Sequence, residues 1–354
     1  MSDWRTIALV GGMLALLGGA TVALRVLKRQ TEATINPAII ETFRRRLLAW
    51  WILFATLAAA LLLGKVVTII LFGLIAFWAL REFITLTPTR PGDHRALFWV
   101  FFLFTPLQFV LVGMEQYALY SIVVPVYAFL FIPARIAMAG DQRRFLERTA
   151  KIQSGLLICV YCLSYAPALL TLSFTEAKAD APLARFEKSL GAPADAVTLT
   201  PTTKAATADD DGASGKKALN TKGLLLFFIL IVQLSDVLQY AWAQIPSRHV
   251  IVPSISPGRT WEGLLGGSIS TALLGAVFWW ATPFPFWLAA LMSLVIALMG
   301  FAGGLTMSAI KRDRGVKDYG TLVAGHGGVL DRIDSICFAA PVFYHLTRWL
   351  LPYL

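Results

Sequence analysis

The sequence predicts an all-α, polytopic integral membrane protein with about ten transmembrane helices. Of its 354 residues, 57% are hydrophobic and only 15% are charged, and the mean hydropathy is +0.67. Soluble domains carry about 25% charged residues, so the composition excludes a soluble enzyme with a single core. Several apolar runs reach the roughly 18 residues that can span a bilayer. Because these runs lack the apolar/polar alternation of barrel strands, they predict helices.

The apolar runs define ten predicted spans. They lie at residues 7–26, 47–64, 66–80, 96–112, 117–137, 155–172, 223–242, 264–281, 286–305 and 336–351. The first run follows Arg5 but has no small-residue cleavage site, which predicts an uncleaved span rather than a signal peptide. The tract 47–80 is too long for one span and short for two. Gly64-Lys65 in its middle predicts a tight helical hairpin.

The basic residues predict the orientation. With two spans in the tract 47–80, the loops 25–46, 81–95, 135–151, 248–262 and 308–335 share one side and hold 21 Lys and Arg. The short segments on the other side hold 3. Cytoplasmic loops carry the excess of Lys and Arg, so the five loops are expected in the cytoplasm, with a bacterial inner membrane as the location. The net charge of +10 then reflects anionic membrane lipids rather than nucleic acid.

Residues 173–222 differ in composition from the rest of the chain. They are rich in Ala, Thr, Asp and Pro and hold seven basic and seven acidic residues. Such a segment cannot bury a core, which predicts a flexible, non-cytoplasmic loop. The chain therefore divides into N-terminal transmembrane helices at 1–172, this polar loop, and a C-terminal membrane region at 223–354 with a cytoplasmic loop.

Polar residues concentrate in three segments at one predicted membrane face. In the first, Gln233, Asp236 and Tyr240 are spaced to share one face of the seventh span. An acidic group inside a span is costly, which makes Asp236 a candidate functional residue. The alternative is a structural aspartate bonded to a neighbouring helix.

The second segment precedes the eighth span. Ser256-Pro257-Gly258 predicts a turn, and Arg259 and Thr260 follow it. The hydroxyls, the guanidinium and the N–H groups of the next helix start are suited to holding an anion. The alternative is a helix cap with an interfacial tryptophan.

The third segment, residues 308–335, combines three features. Four Lys and Arg residues lie within seven positions and form a phosphate-attracting patch. A glycine turn at 325–328 lets backbone approach a ligand closely. Asp331 and Asp334 lie three residues apart at a helix start, as paired oxygen ligands of Mg²⁺ would. Together these features indicate phosphate chemistry with a divalent metal.

The third segment closely resembles the signature of the phosphatidate cytidylyltransferase family. The pattern S-x-x-K-R-x4-K-D…H-G-G-x-x-D-R-x-D runs from Ser308 to Asp334. The segment from Ser256 to Gly263 is similar to a second family motif, S-P-x-K/R-T-W-x-G, and Asp236 with Tyr240 resembles D-x-x-x-Y. Glu82 is similar to an early family glutamate.

The resemblance implies the reaction of CTP with phosphatidate to give CDP-diacylglycerol and pyrophosphate. The implied partners are CTP, phosphatidate and membrane lipids. The implied cofactor is Mg²⁺, and the resemblance is compatible with a second cation. It also leaves open whether the protein forms a homodimer. The implied site residues are catalytic Lys311, Arg312, Lys317, Asp318, His326 and Arg332; substrate-binding Ser256, Arg259, Thr260, Ser308, Gly327 and Gly328; and metal-binding Asp331, Asp334 and Asp236.

Two departures from the family pattern bear on the metal site and the glycine turn. Ala324-Gly325 stands where the family usually has Pro-Gly, and Gly304 stands where an acidic residue is common, four positions before Ser308. Two other functions stay open from the sequence. They are a CTP-dependent polyprenol kinase and a membrane transporter that would use Asp236 as an intramembrane site.

Overall fold

The structure is a computed structural model that describes residues 9–12, 14, 18–19, 21–22, 51–86, 89–173, 220–244, 249–320 and 327–354. Most of the first predicted span and nearly all of the polar loop 173–222 lie outside the described residues. The described residues are mostly helical, and the labelled helices are α1 Trp51–Leu63, α2 Lys65–Thr85, α3 Pro91–Gly113, α4 Tyr117–Ala137, α5 Phe145–Thr171, α6 Thr221–Trp242, α7 Trp261–Ala281, α8 Phe286–Asp313 and α9 Leu330–Leu350.

Seven of these helices, α2 to α8, are long and apolar enough to cross a membrane. They coincide with seven of the predicted spans, and the all-α, multi-pass class is confirmed. Helix α1 is apolar but shorter. Helix α9 covers the last predicted span and is long enough to cross, although polar residues such as His345 and Arg348 interrupt its apolar sequence.

The tract 47–80 divides at Gly64. This glycine separates α1 from α2 and has a φ of 121°, in the region that only glycine adopts without strain. In the described residues, this tract therefore does not form one continuous helix. The basic loops fall on one side of the membrane only if this tract forms two helices.

Ion pairs confirm that several basic loops meet at one end of the helices. Arg148 at the start of α5 binds Asp93 at the start of α3 through Nε and Nη2, at 2.5–3.1 Å. Arg314, directly after α8, lies 3.6 Å from Glu147 of α5. At the opposite end of α2 and α3, Lys65 pairs with Glu115. The loops 81–95, 135–151 and 308–335 thus share one end, as the charge pattern predicts.

Helices α6 and α7 form a close antiparallel pair on which α8 and α9 pack. Glycines make the approach close: a Cβ at Gly263 would lie 2.8 Å from the backbone oxygen of Gln239, and one at Gly267 would lie 2.6 Å from the Gln239 side chain. Buried Gln239 donates a hydrogen bond to the carbonyl oxygen of Ala297 on α8, at 3.1 Å. This packing fixes the end of α6 that carries Asp236.

A short hairpin connects α6 to α7. Strand β1, Val250–Val252, pairs antiparallel with β2, Ser256–Thr260, with Val250 opposite Thr260 and Val252 opposite Ser256. The hairpin lies at the end of the bundle where α8 ends and α9 begins, since Arg312 at the end of α8 donates from Nε to the carbonyl oxygen of Ile255, at 3.2 Å.

Candidate active site

Asp331 fixes both ends of the glycine-turn loop to helix α8. Its Oδ1 accepts a hydrogen bond from Lys311 Nζ at 2.7 Å, and its Oδ2 accepts from the backbone N–H groups of Tyr319 and Gly328, both at 2.9 Å. Gly327 has a φ of 81°, and a Cβ there would lie 2.6 Å from Asp331 Oδ2. The carboxylate therefore has donors on both oxygens, and the loop leaves no room for a side chain beside it.

Glu82, from the end of α2, holds the start of α9. Its Oε1 accepts from the N–H of Val329 at 3.0 Å and its Oε2 from the N–H of Leu330 at 2.9 Å, and the side chain is 5% exposed. A helix start leaves N–H groups without intrahelical partners and favours negative charge, so both effects stabilise this contact. A Cβ at Gly328 would overlap the Glu82 carboxylate. The N-terminal helices thus take part in building the loop.

Tyr319 is a further anchor that the sequence interpretation missed. Its hydroxyl donates to the carbonyl oxygen of Met307 at 3.0 Å, and its ring stacks on Phe83 with centroids 6.3 Å apart. Lys311 Nζ lies 5.4 Å from the centre of the same ring. The signal was an aromatic residue inside an otherwise basic and glycine-rich loop. Glu82 and Tyr319 together tie this loop to α2.

Asp236 of α6 and Asp334 of α9 form a second acidic centre, which we call the carboxylate pair. Asp236 Oδ1 accepts from Ser335 Oγ at 3.0 Å, and Asp334 Oδ1 accepts from the Ser335 N–H at 2.8 Å. The Ser335 hydroxyl also lies 3.5 Å from Asp334 Oδ1, so one serine contacts both carboxylates. Within the described part of the chain, neither Oδ2 atom accepts a hydrogen bond. Among these residues, the Oδ2 atoms are therefore the acceptors that a ligand could use.

Arg259 of β2 packs against α8 at Gly304, and a Cβ on the neighbouring Gly303 would lie 2.9 Å from the backbone oxygen of Asp334. Its Nη1 donates to the carbonyl oxygen of Phe301 at 3.1 Å, and its guanidinium lies 4.8 Å from the centre of the Phe301 ring. Burial lowers the pKa of Arg259, and attraction to Asp236 and Asp334 opposes that shift. A Cβ at Gly304 would overlap Arg259 Nη2. The position where an acidic residue was expected from the family pattern is thus next to a guanidinium.

The hairpin residues hold Arg259 in place. Thr260 Oγ1 accepts from the N–H of Gly263 at 3.0 Å and caps α7, and Thr260 is 1% exposed. The helix-cap alternative considered for this segment is therefore correct for Thr260. Ser256 is half-buried at the start of β2.

The remaining expected site residues differ in their surroundings. Ser308 donates to the carbonyl oxygen of Gly304 in its own helix, at 2.7 Å. Lys317 and Asp318 are exposed, and Arg332 is half-buried. His326 lies outside the described residues.

A divalent cation fits the carboxylate pair by the chemistry of its donors. Among the described residues, no three His, Cys, Asp or Glu side chains are grouped closely enough to hold a metal ion by themselves. Magnesium, however, is commonly bound through one or two carboxylates, with water and substrate phosphates completing its octahedron. Asp236 and Asp334 supply two carboxylates, whose Oδ2 atoms accept no hydrogen bond from the described residues.

The fold and this site define a multi-pass membrane enzyme with acidic and basic groups gathered at one end of its helices. The model of the cytidylyltransferase family matches residues 44–350. The chain therefore belongs to the cytidylyltransferase family, and it is a nucleotidyltransferase.

Individual relatives are similar over different lengths. The uncharacterised protein YnbB of Escherichia coli K12 is 32% identical over 308 residues, which cover 86% of this chain and 87% of that protein. The phosphatidate cytidylyltransferase of Synechocystis sp. is 48% identical over 105 residues, 28% of this chain and 35% of that enzyme. That of Mycobacterium leprae is 37% identical over 134 residues, 37% of this chain and 42% of that enzyme. The matched part thus spans less than half of either named enzyme.

Proposed function

We propose that this protein is a phosphatidate cytidylyltransferase that converts CTP and phosphatidate into CDP-diacylglycerol and pyrophosphate. The observation that carries the proposal is the carboxylate pair, Asp236 and Asp334, beside the loop that Asp331 anchors. Membership of the cytidylyltransferase family supports the reaction class. The phosphatidate cytidylyltransferases to which part of this chain is similar support the substrates.

The reaction is an in-line substitution at phosphorus. A phosphate oxygen of phosphatidate forms a bond to the α-phosphorus of CTP, while the bond from that phosphorus to the bridging oxygen of the β-phosphate breaks and pyrophosphate leaves. No general base is needed, because the attacking phosphate is already ionised. Catalysis therefore consists mainly of positioning the two phosphates and offsetting their charge.

Asp236 and Asp334 would hold Mg²⁺, which neutralises charge on the nucleotide phosphates when it is bound. Asp331, the third expected ligand, would join the metal by releasing its bond to Lys311. That release would free the Lys311 ammonium for a phosphate. A second cation would need this rearrangement, since Asp331 accepts from three donors in the structure.

The other basic residues would bind phosphate groups. Lys317 is exposed and free to move toward pyrophosphate, and Arg332 lies between Asp331 and Asp334 in sequence. His326 would donate a hydrogen bond to a phosphate, and Gly327 would let the loop approach the nucleotide closely. Arg312 supports the site through the hairpin carbonyl that it binds.

The acyl chains of phosphatidate would stay in the membrane beside α7. This helix exposes a row of apolar side chains at Leu265, Ile269 and Leu273, each more than half exposed. The row starts near the hairpin that carries Arg259. A lipid lying along α7 would have its headgroup at the end of the bundle that contains the carboxylate pair.

The direct test is to incubate the purified protein with labelled CTP, Mg²⁺ and phosphatidate. Formation of CDP-diacylglycerol and pyrophosphate in equal amounts is the expected result, and EDTA should abolish it. Formation of CDP and a phosphorylated lipid from a polyprenol would instead identify a kinase. Absence of CTP turnover with phosphatidate would contradict the proposed substrates.

We further propose that the site faces the cytoplasm of a bacterial inner membrane. The excess of basic residues in the loops at the site's end supports this orientation. In a background without native cysteines, Ala213→Cys and Gly315→Cys should react oppositely with an impermeant thiol reagent added to intact cells. Labelling of Gly315→Cys from outside would show that the site faces away from the cytoplasm.

A further inference from the structure

Ser335 of α9 contacts one oxygen of each member of the carboxylate pair. Its hydroxyl lies 3.0 Å from Asp236 Oδ1 and 3.5 Å from Asp334 Oδ1, and its backbone N–H donates to Asp334 Oδ1 at 2.8 Å. A hydroxyl has one proton, so the shorter distance assigns its hydrogen bond to Asp236. The residue is 2% exposed. A single buried residue therefore contacts two carboxylates that come from different helices.

The direction of this hydroxyl differs from that of serine hydroxyls in the neighbouring helices. Ser235 of α6 donates to the carbonyl oxygen of Val232 at 2.7 Å, within its own helix. Ser308 of α8 likewise donates to the carbonyl oxygen of Gly304 at 2.7 Å. Such bonds to a preceding carbonyl are the local option that a serine has inside a helix. Ser335 instead donates across a helix boundary, to a carboxylate on α6.

This hydrogen bond fixes a torsion that the aspartate itself leaves loose. The terminal torsion of an aspartate is broad and roughly two-fold, so its own rotamer preference does not set the plane of the carboxylate. Among the described residues, the donor to the Asp236 carboxylate is the Ser335 hydroxyl. Rotation of the carboxylate would break that bond. The bond therefore keeps Oδ1 of Asp236 toward α9 and leaves Oδ2 as the oxygen for another partner.

We propose that Ser335 is a positioning residue that orients Asp236 relative to Asp334, so that the two carboxylates bind one divalent cation together. Hydrogen bonds to carboxylates that bind a metal orient them, and loss of such a bond typically lowers metal affinity or activity by about 10- to 100-fold. In this role Ser335 acts through the two aspartates and not on the substrates. The inference rests on the metal-binding role given to the pair in the proposed function.

The test measures binding of Mn²⁺ to the full chain in detergent, without CTP or phosphatidate, from the loss of the free-ion signal in electron paramagnetic resonance. Ser335→Ala removes only the hydroxyl and should weaken Mn²⁺ binding by about tenfold or more. Ser335→Thr keeps a hydroxyl on the same carbon and should retain most of the affinity. Asp334→Asn should abolish the binding, which locates the ion at the pair.

Ser235→Ala is a matched control on the other helix. Ser235 is 0% exposed and precedes Asp236 in sequence. It also packs against the same glycine of α8 as Ser335, since a Cβ at Gly300 would lie 3.8 Å from the hydroxyl oxygen of each serine. Because the Ser235 hydroxyl donates within α6, its removal takes no donor from a carboxylate. The Mn²⁺ affinity of Ser235→Ala should equal that of the wild type.

Turnover gives a second readout, which separates positioning from a general loss of structure. Ser335→Ala should raise the Mg²⁺ concentration that gives half-maximal formation of CDP-diacylglycerol. At saturating Mg²⁺, its kcat should fall far less than that of Asp236→Asn, because both aspartates remain to bind the ion.

Equal Mn²⁺ affinity in Ser335→Ala and the wild type would overturn the inference and leave the proposed function intact. A loss in Ser235→Ala as large as that in Ser335→Ala would also overturn it, since the effect would then come from helix packing. Wild-type Mn²⁺ binding that does not depend on Asp334 would contradict the metal-binding role of the pair, and the inference with it. A protein with the expected Mn²⁺ affinities that makes no CDP-diacylglycerol would contradict the proposed reaction alone.

Discussion

Two acidic centres flank the first turn of α9, and they differ in what binds their oxygens. We call Glu82 and Asp331 the loop anchor. Every carboxylate oxygen of the loop anchor accepts a hydrogen bond from a backbone N–H or from Lys311. In the carboxylate pair, Asp236 and Asp334, the donors from the part of the chain that the structure describes all belong to Ser335 and reach only the Oδ1 atoms. Asp331 and Asp334 are three residues apart, yet their surroundings are different.

This difference separates structural from functional acids by an observable property. A carboxylate that accepts from fixed backbone donors is stabilised as part of the loop, and moving it would leave buried N–H groups without partners. A carboxylate with open acceptors can bind a metal or a substrate without that loss. The loop anchor is thus suited to building the site and the carboxylate pair to working in it.

The largest effect is expected from removing one charge of the carboxylate pair. Asp236→Asn and Asp334→Asn keep the size of the side chain but remove a metal ligand, so kcat and kcat/KM should fall together by on the order of a hundredfold or more. Steady-state kinetics of CDP-diacylglycerol formation measure this loss. Asp313→Asn, at an exposed acid paired with Arg314, should retain activity. Retained turnover in both pair variants would remove the basis of the proposal.

A second, smaller effect is expected on the free energy of unfolding, which should distinguish the loop anchor from the carboxylate pair. Glu82→Gln and Asp331→Asn each weaken hydrogen bonds to buried N–H groups, which should lower the free energy of unfolding by about 1–3 kcal/mol. Unfolding in detergent, followed by circular dichroism, measures this change, and Asp334→Asn should lower it less.

The ion pair of Lys311 with Asp331 gives this prediction an internal check. Lys311→Met and Asp331→Asn should be non-additive, with a coupling energy on the order of 0.5–3 kcal/mol in a double-mutant cycle. If Asp331→Asn instead keeps full stability, the hydrogen bonds of Asp331 do not stabilise the loop and the contrast between the two centres fails.

A third effect concerns the hairpin that carries Arg259. Thr260→Ala removes the cap of α7 and should cost about 1 kcal/mol of stability, whereas Thr260→Ser keeps a capping hydroxyl and should leave the stability close to that of the wild type. The same unfolding experiment measures both. Because the cap is not part of either acidic centre, kcat in Thr260→Ala should fall far less than in Asp236→Asn. A hundredfold loss of kcat would mean that the Thr260 hydroxyl contacts substrate.

Local sequence patterns were sufficient for most of the fold. Hydropathy located the spans that became α2 to α8, and Gly64 located the break before α2, because both depend on residues close together in the chain. Asp236, Asp331 and Asp334 were found as candidates from an acid inside a span and from helical spacing.

The contacts that distinguish these acids join distant parts of the chain and were not predictable. Glu82 binds an N–H group 248 residues further along, and only the packing of α2 against α9 brings them together. Gly304 was read as a missing acid, because nothing in the sequence indicates that the guanidinium of Arg259 occupies the adjacent space. Donors from separate helices decide the role of each carboxylate, and their arrangement is a property of the tertiary structure.

The smallest effect on kcat is expected from deletion within the polar segment 173–222. Residues 173–222 hold seven of the 21 acidic residues of the chain, but these are balanced by seven basic residues and lie in a tract with no apolar face and no motif. Deleting residues 180–213 removes most of those charges and should leave kcat within a few-fold of the wild type. Initial rates of CDP-diacylglycerol formation, compared at equal amounts of folded protein, test this. A folded deletion variant whose turnover collapses would show that acidic residues outside the two centres contribute to the site, and the division into a loop anchor and a carboxylate pair would then be incomplete.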